Sequence, residues 1–102
     1  MPDPRYEESA VAEAEEKVQE PPLFKVLLHN DDYTTMDFVV MILESIFNMP
    51  EEQAVQVMLN VHLSGAGVAG IYTFEVAEMK VEKTTSLARE HEFPLLCTME
   101  RA

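Results

Sequence analysis

The run Leu23-Phe24-Lys25-Val26-Leu27-Leu28-His29 most constrains what this chain can fold into. It is apolar almost without interruption, so it cannot lie with one face in water. Such a run suits a central strand covered by other elements better than an edge strand. It ends at Asn30-Asp31-Asp32, which is turn chemistry. Thr34 follows as the expected N-cap of a helix, with Asp37 three residues on as a short version of the capping-box acid. Phe38, Val39, Ile42, Leu43 and Ile46 recur at helical spacing, so the helix is expected to reach about Phe47.

Punctuation residues divide the rest. Asn48-Met49-Pro50 breaks the chain. Pro50 suits the first turn of a second helix, and Glu51 and Glu52 suit its positive end. That helix is apolar over a wide arc to about Leu63 and stops at Ser64-Gly65. Gly67 to Tyr72 reads as a short strand, weakened by Gly70. Thr73 is positioned to cap a third helix ending near His91, because Pro94 forbids its continuation. Leu95 to Met99 completes a last strand. The order is β-α-α-β-α-β, an α+β fold of two layers. Two helices return the second strand antiparallel to the first, and one helix returns the third parallel to the second. The first strand therefore lies between the others, giving a three-stranded antiparallel sheet in the order 2-1-3.

The 102 residues suffice for one small domain. Residues 1–20 hold seven acidic and two basic side chains, and their apolar residues are mostly Ala and Val. Too little can be buried there to offset ordering, so residues 1–21 are expected to form a disordered acidic extension. Residues 22–102 form the folded domain. A formal net charge of -12 argues against nucleic acid and anionic membranes and favours cationic partners. The single cysteine, Cys97, excludes an intramolecular disulfide. No apolar run approaches a membrane span, and the acidic N-terminus lacks a signal-peptide pattern. A cytoplasmic protein is expected.

One constellation carries chemistry. Met58, Val61 and His62 fall at i, i+3 and i+4, on one helix face. Met36 and Val39 are three apart on another helix. If these faces meet beside Asn30, Asp31 and Asp32, an apolar hole gains a mouth of carboxylates, an amide and an imidazole. A protonated α-amine donates three hydrogen bonds that such groups accept. The ligand implied is the free amino terminus of a polypeptide, with its first side chain in the hole. Residue types alone also allow a plainer reading. Met and Val at helical spacing commonly make core, and a lone histidine on an apolar face is commonly structural.

Two other chemistries fare worse. His29, Asp31, Asp32, His62 and His91 could ligate a metal but have no standard metal spacing, so no metal and no cofactor are expected. Cys97 with a histidine could form a nucleophile pair, but an inert buried thiol is expected in an apolar strand. No Gly-rich phosphate loop or serine motif is present. The chain is not expected to be an enzyme.

The same residues resemble a known family. NDDYTTMDFV is similar to the NDDYTPMEFV motif of the ClpS adaptors. VMLNVHLSG resembles that family's second-helix segment, GIYTFEVAEMK its GVYTxEVAETK stretch, and HEFPLLCTME its C-terminal strand. The match runs from about Pro22 to Met99. The resemblance implies an adaptor that binds N-degrons, proteins beginning with Leu, Phe, Tyr or Trp. It implies delivery to the ClpA unfoldase of the ClpAP protease, with a change in that machine's substrate choice. Carried over by motif position, Asn30, Asp31 and His62 would contact the substrate's amine and first peptide group, with Asp32 supporting them. Thr34, Met36, Val39, Met58, Val61 and Leu95 would line the pocket, with Met36 as a gate against β-branched first residues. Glu75 and Lys80 would dock on the unfoldase's N-terminal domain, and the acidic tail resembles an extension that the unfoldase engages. A monomer is expected. Thr35 stands where the family has Pro, Asp37 replaces Glu, Ala69 replaces Cys and Met79 replaces Thr. The same element order also resembles the C-terminal domain of the ribosomal stalk protein. That domain is a non-catalytic interaction module with a basic factor-binding face, which this acidic chain lacks.

Overall fold

A computed structural model describes residues 20–102. The extension expected over residues 1–21 lies almost wholly outside the described residues. Strand β1 covers Leu23–His29, followed by helices α1 (Met36–Ser45) and α2 (Glu51–Ser64). Strand β2 (Ala66–Thr73), helix α3 (Phe74–Glu90) and strand β3 (Leu96–Arg101) complete the order. The sheet order is β2-β1-β3, and both pairings are antiparallel. The apolar run is thus the central strand.

Alternation along β1 sends Val26 and Leu28 into the core, where both are wholly buried. Phe38, Val39, Ile42 and Leu43 of α1, Ala54, Met58 and Val61 of α2, and Ala77 and Ala88 of α3 join the same cluster. The register shifts between Val26 and Leu27, which faces Val68 after Val26 faces Gly70. Ala69 is the extra residue of this bulge and is buried. Gly70 is bare because the Tyr72 ring lies against its backbone, where a Cβ would stand. The other sheet face has Lys25, Leu27 and His29 at its centre. Lys25 pairs with Glu100 at 3.2 Å and His29 Nε2 lies 2.8 Å from Thr98 Oγ1.

Helix boundaries differ from expectation in three places, each for a local reason. Thr35, not Thr34, caps α1, and its hydroxyl accepts from the Phe38 N–H at 3.2 Å. The Thr34 side chain is turned toward Asp31 instead, where its N–H and hydroxyl both donate to the carboxylate. Pro50 is the N-cap of α2, its extended ψ of 154° placing Glu51 first in the helix. α1 stops at Ser45, two residues short of Phe47, and the side chain of Lys80 donates to the free Ile46 carbonyl just beyond it. The Lys80 ammonium also sits over the Phe47 and Tyr72 rings, 5.9 and 5.6 Å from their centroids.

Because the Thr35 side chain caps the N-terminus of α1, Thr35→Ala should cost about 1 kcal/mol. Thermal unfolding should then shift down by about 4–8 °C. An unchanged midpoint would mean that the cap is not formed in solution.

Candidate functional site

The junction after β1 and the C-terminal half of α2 come together through one backbone contact. The Asn30 N–H donates to the Gly65 carbonyl at 2.8 Å. Gly65 ends α2 at φ 90°, a left-handed conformation that favours glycine. Nothing lies near the position of an added Cβ there, so backbone geometry alone selects the residue. Just beyond it, Gly67 lets β2 approach α2, since a Cβ would meet Val61 Cγ2 at 2.8 Å.

Between these segments lies a cavity of about 390 Å³. Asn30, Asp31, Asp32, Tyr33, Thr34, Thr35, Met36 and Val39 bound it on one side, and Met58, Val61 and His62 on the other. The apolar faces of α1 and α2 therefore do meet beside the polar turn. Val39, Met58 and Val61 are buried and form the floor. Met36 is 44% exposed at the mouth, and Tyr33 is 76% exposed. Asn30, Asp32 and His62 are exposed, while Asp31 and Thr34 are half-buried. Leu95, expected in the lining, belongs to the same core cluster as Val39, Met58 and Val61 but does not border the cavity. Tyr33 and Thr35 border it without having been expected to. Their adjacency to the Asn-Asp-Asp turn was the available signal.

The turn is held from within. Asp31 Oδ1 accepts from the N–H groups of Tyr33 at 2.8 Å and Thr34 at 2.7 Å. Its Oδ2 accepts from the Thr34 hydroxyl at 2.7 Å. Partial burial pushes the Asp31 carboxyl upward. The Thr34 N–H and hydroxyl and the Tyr33 N–H together outweigh it and hold the group below the ordinary aspartate value. Asp32 makes no side-chain hydrogen bond or ion pair among the described residues.

The three histidines go to three places. His29 pairs with Thr98 across the sheet, His62 borders the cavity, and His91 lies against the Phe38 ring, centroids 5.1 Å apart. They do not assemble with Asp31 and Asp32 into one ligand set. Cys97 is buried, and that burial pushes its thiol up to about 11. The adjacent Thr84 hydroxyl pulls the other way more weakly, without a full hydrogen bond of its own. A thiol so placed is not a nucleophile near neutral pH. Glu75 is exposed in the first turn of α3, beside the exposed Phe74, whereas Lys80 is turned inward onto Ile46. Among the described residues no helix is long and apolar enough to cross a membrane.

The model of the family described as ATP-dependent Clp protease adaptor protein ClpS matches residues 19–98. The chain belongs to the ClpS family. The ClpS adapter of Caulobacter vibrioides strain NA1000 is 53% identical over 93 residues, covering 91% of this chain and 85% of that protein. That of Desulfatibacillum aliphaticivorans is 53% identical over 100 residues, covering 97% and 96%. Among solved structures, Agrobacterium tumefaciens ClpS2 bound to L-phenylalaninamide matches with a TM-score of 0.79 at 38% identity. The match covers 81% of this chain and 100% of that one. ClpS proteins are adaptors of the Clp protease and not catalytic proteins, which agrees with the inert setting of Cys97. ClpS membership displaces the alternative of a ribosomal stalk domain.

The internal bonds of Asp31 set a pH dependence. A carboxyl whose folded-state value is depressed contributes stability that is complete above its ordinary range. That contribution is lost as the pH falls through the depressed value. By NMR, the Asp31 carboxyl should titrate below the ordinary aspartate value, and Thr34→Val should raise its midpoint by removing one donor. A midpoint indifferent to Thr34→Val would contradict the bonding described.

Proposed function

We propose that this ClpS protein recognises polypeptides by a free amino terminus and a bulky apolar first residue, Leu, Phe, Tyr or Trp. It would deliver them to the ClpA unfoldase of the cytoplasmic ClpAP protease and thereby alter that protease's choice of substrates. The observation that carries this reading is the cavity itself: an apolar floor of Val39, Met58 and Val61 under a mouth of Asn30, Asp31, Asp32 and His62. The amide oxygen, the carboxylates and a neutral imidazole nitrogen are acceptors, and an ammonium offers three donors. About 390 Å³ is at the small end for ligand sites, in keeping with one residue rather than a long peptide. Met36 at the mouth would hinder branching at the first Cβ. The ligand seen with A. tumefaciens ClpS2 supports the same chemistry. L-Phenylalaninamide has a free amine and an aromatic side chain, and its amide stands in for the first peptide bond.

The magnitudes agree. Burying a Leu- or Phe-sized side chain yields about 1.5–3 kcal/mol. Each charge-assisted hydrogen bond adds about 1.5–3 kcal/mol. After association costs, micromolar binding at about -8 kcal/mol is within reach. For the hand-over, the start of α3 offers Glu75 with the exposed Phe74 and Met79. Lys80 would contribute by bracing the end of α1 beside that surface. Monomeric action fits a cavity built wholly within one chain.

A peptide beginning with Phe should bind, and its N-acetylated form, which lacks the charge and a donor set, should not. Equal binding of the two would refute the reading. His62→Ala should weaken binding by about tenfold or more, while an exposed side chain of this kind alters stability by only about 0.5 kcal/mol. Parallel loss of binding and of thermal stability would instead make His62 structural.

A further inference from the structure

The most exposed large apolar side chain among the described residues is Leu63, at 79%. It stands four residues after Leu59, itself 42% exposed, so the two share one face of α2. Val55, one turn earlier and half-buried against the core, begins the same row. The neighbouring row is Met58 and His62, which borders the cavity. At about 100° per residue, Leu59 lies about 60° round the helix from His62 and Leu63 about 100° round, both on the side away from Met58. On a helix about 5 Å in radius with its side chains, those angles are arcs of about 5 and 9 Å. The apolar lining of the cavity is thus continued past His62 onto the open surface. Scattered exposed leucines need no explanation, but an exposed row continuous with a ligand cavity marks an interaction surface.

The stereochemistry of a first residue says what meets that row. Its Cα bears the amine, the side chain and the carbonyl at near-tetrahedral angles. The side chain goes down onto Val39, Met58 and Val61, and the amine is drawn to the carboxylates of the turn. The carbonyl is then directed at the opposite bank, which is α2 at His62. The polypeptide leaves the cavity across His62, toward Leu59 and Leu63. In an extended chain alternate side chains share one side, about 7 Å apart. The third side chain therefore falls between the arcs that Leu59 and Leu63 occupy, while the second points the other way. We infer that Leu59 and Leu63 form a second subsite, which takes an apolar third residue of the polypeptide whose first residue fills the cavity. This rests on the proposed function and extends recognition beyond the first residue.

The test measures the affinity of the full chain for three peptides labelled at the far end. They begin Phe-Ser-Ser, Phe-Ser-Leu and Phe-Leu-Ser and continue with one common polar sequence. Leucine at the third position should tighten wild-type binding about three- to tenfold over the Phe-Ser-Ser peptide, and leucine at the second by less than about twofold. L59S and L63S should each reduce that gain, and the double variant L59S/L63S should abolish it. No gain at the third position, or an equal gain at the second, would overturn the inference on the wild-type chain alone, whether or not the variants fold. A full gain in the folded double variant would overturn it too. Sedimentation showing a dimer that the double variant abolishes, with the peptide ratio unchanged, would assign the row to a second copy of the chain and overturn the inference. L-Phenylalaninamide, which ends before the third position, separates this inference from the reading beneath it. A wild-type chain that binds it but gains nothing from the third leucine loses only the second subsite, whereas one that does not bind it refutes the proposed function.

Discussion

One backbone hydrogen bond, from the Asn30 N–H to the Gly65 carbonyl, joins the two halves of the cavity. Its donor closes the central strand, and its acceptor terminates the helix carrying Met58, Val61 and His62. Because both partners are backbone atoms of residues at element ends, the mouth takes its dimensions from the fold. The rest of the site follows. α1 starts where Asp31 and Thr35 allow it, and its second residue-triplet brings Val39 onto the floor beside Met58. The left-handed backbone at Gly65 is therefore part of the site, although glycine presents no group to a ligand.

The rest of the molecule keeps that arrangement stiff and chemically quiet. Lys80 satisfies the Ile46 carbonyl left at the end of α1 and packs over Phe47 and Tyr72. Gly67 brings β2 close to Val61, so the floor is backed by sheet. Cys97 is a core residue with its thiol pushed out of the reactive range. What remains at the surface is an excess of acid, which attracts cationic chain ends at long range. Under the proposed reading, such a protein holds a polypeptide without altering it.

Much of this was legible in the residues. The unbroken apolar run Leu23–His29 implied a central strand, and the parity of the connections then forced the order β2-β1-β3. The facing pairs Met36/Val39 and Met58/Val61 implied a hole once both helices packed on that strand. What was not legible is where hydrogen bonds compete locally. Two adjacent threonines are equally good caps by type. In the fold the Thr34 side chain turns toward Asp31 and Thr35 caps the helix, and the inward turn of Lys80 removes it from the exposed surface. Leu95 lies one residue before β3 and points into the core, a matter of strand phase that the string Phe93-Pro94-Leu95-Leu96 does not disclose. The bulge that buries Ala69 is likewise a register event, set by pairing with β1 and invisible in the Gly-rich run itself.

The central claim is that one cavity takes a cation and a bulky hydrocarbon from the same amino acid. The most direct test is a crystal structure of this chain with L-phenylalaninamide. The account predicts the ammonium within hydrogen-bonding distance of Asn30, His62 and a carboxylate of the Asp31-Asp32 pair, and the ring among Met36, Val39, Met58 and Val61. A ligand seated elsewhere, or one with its ring in solvent and only its amine engaged, would contradict it.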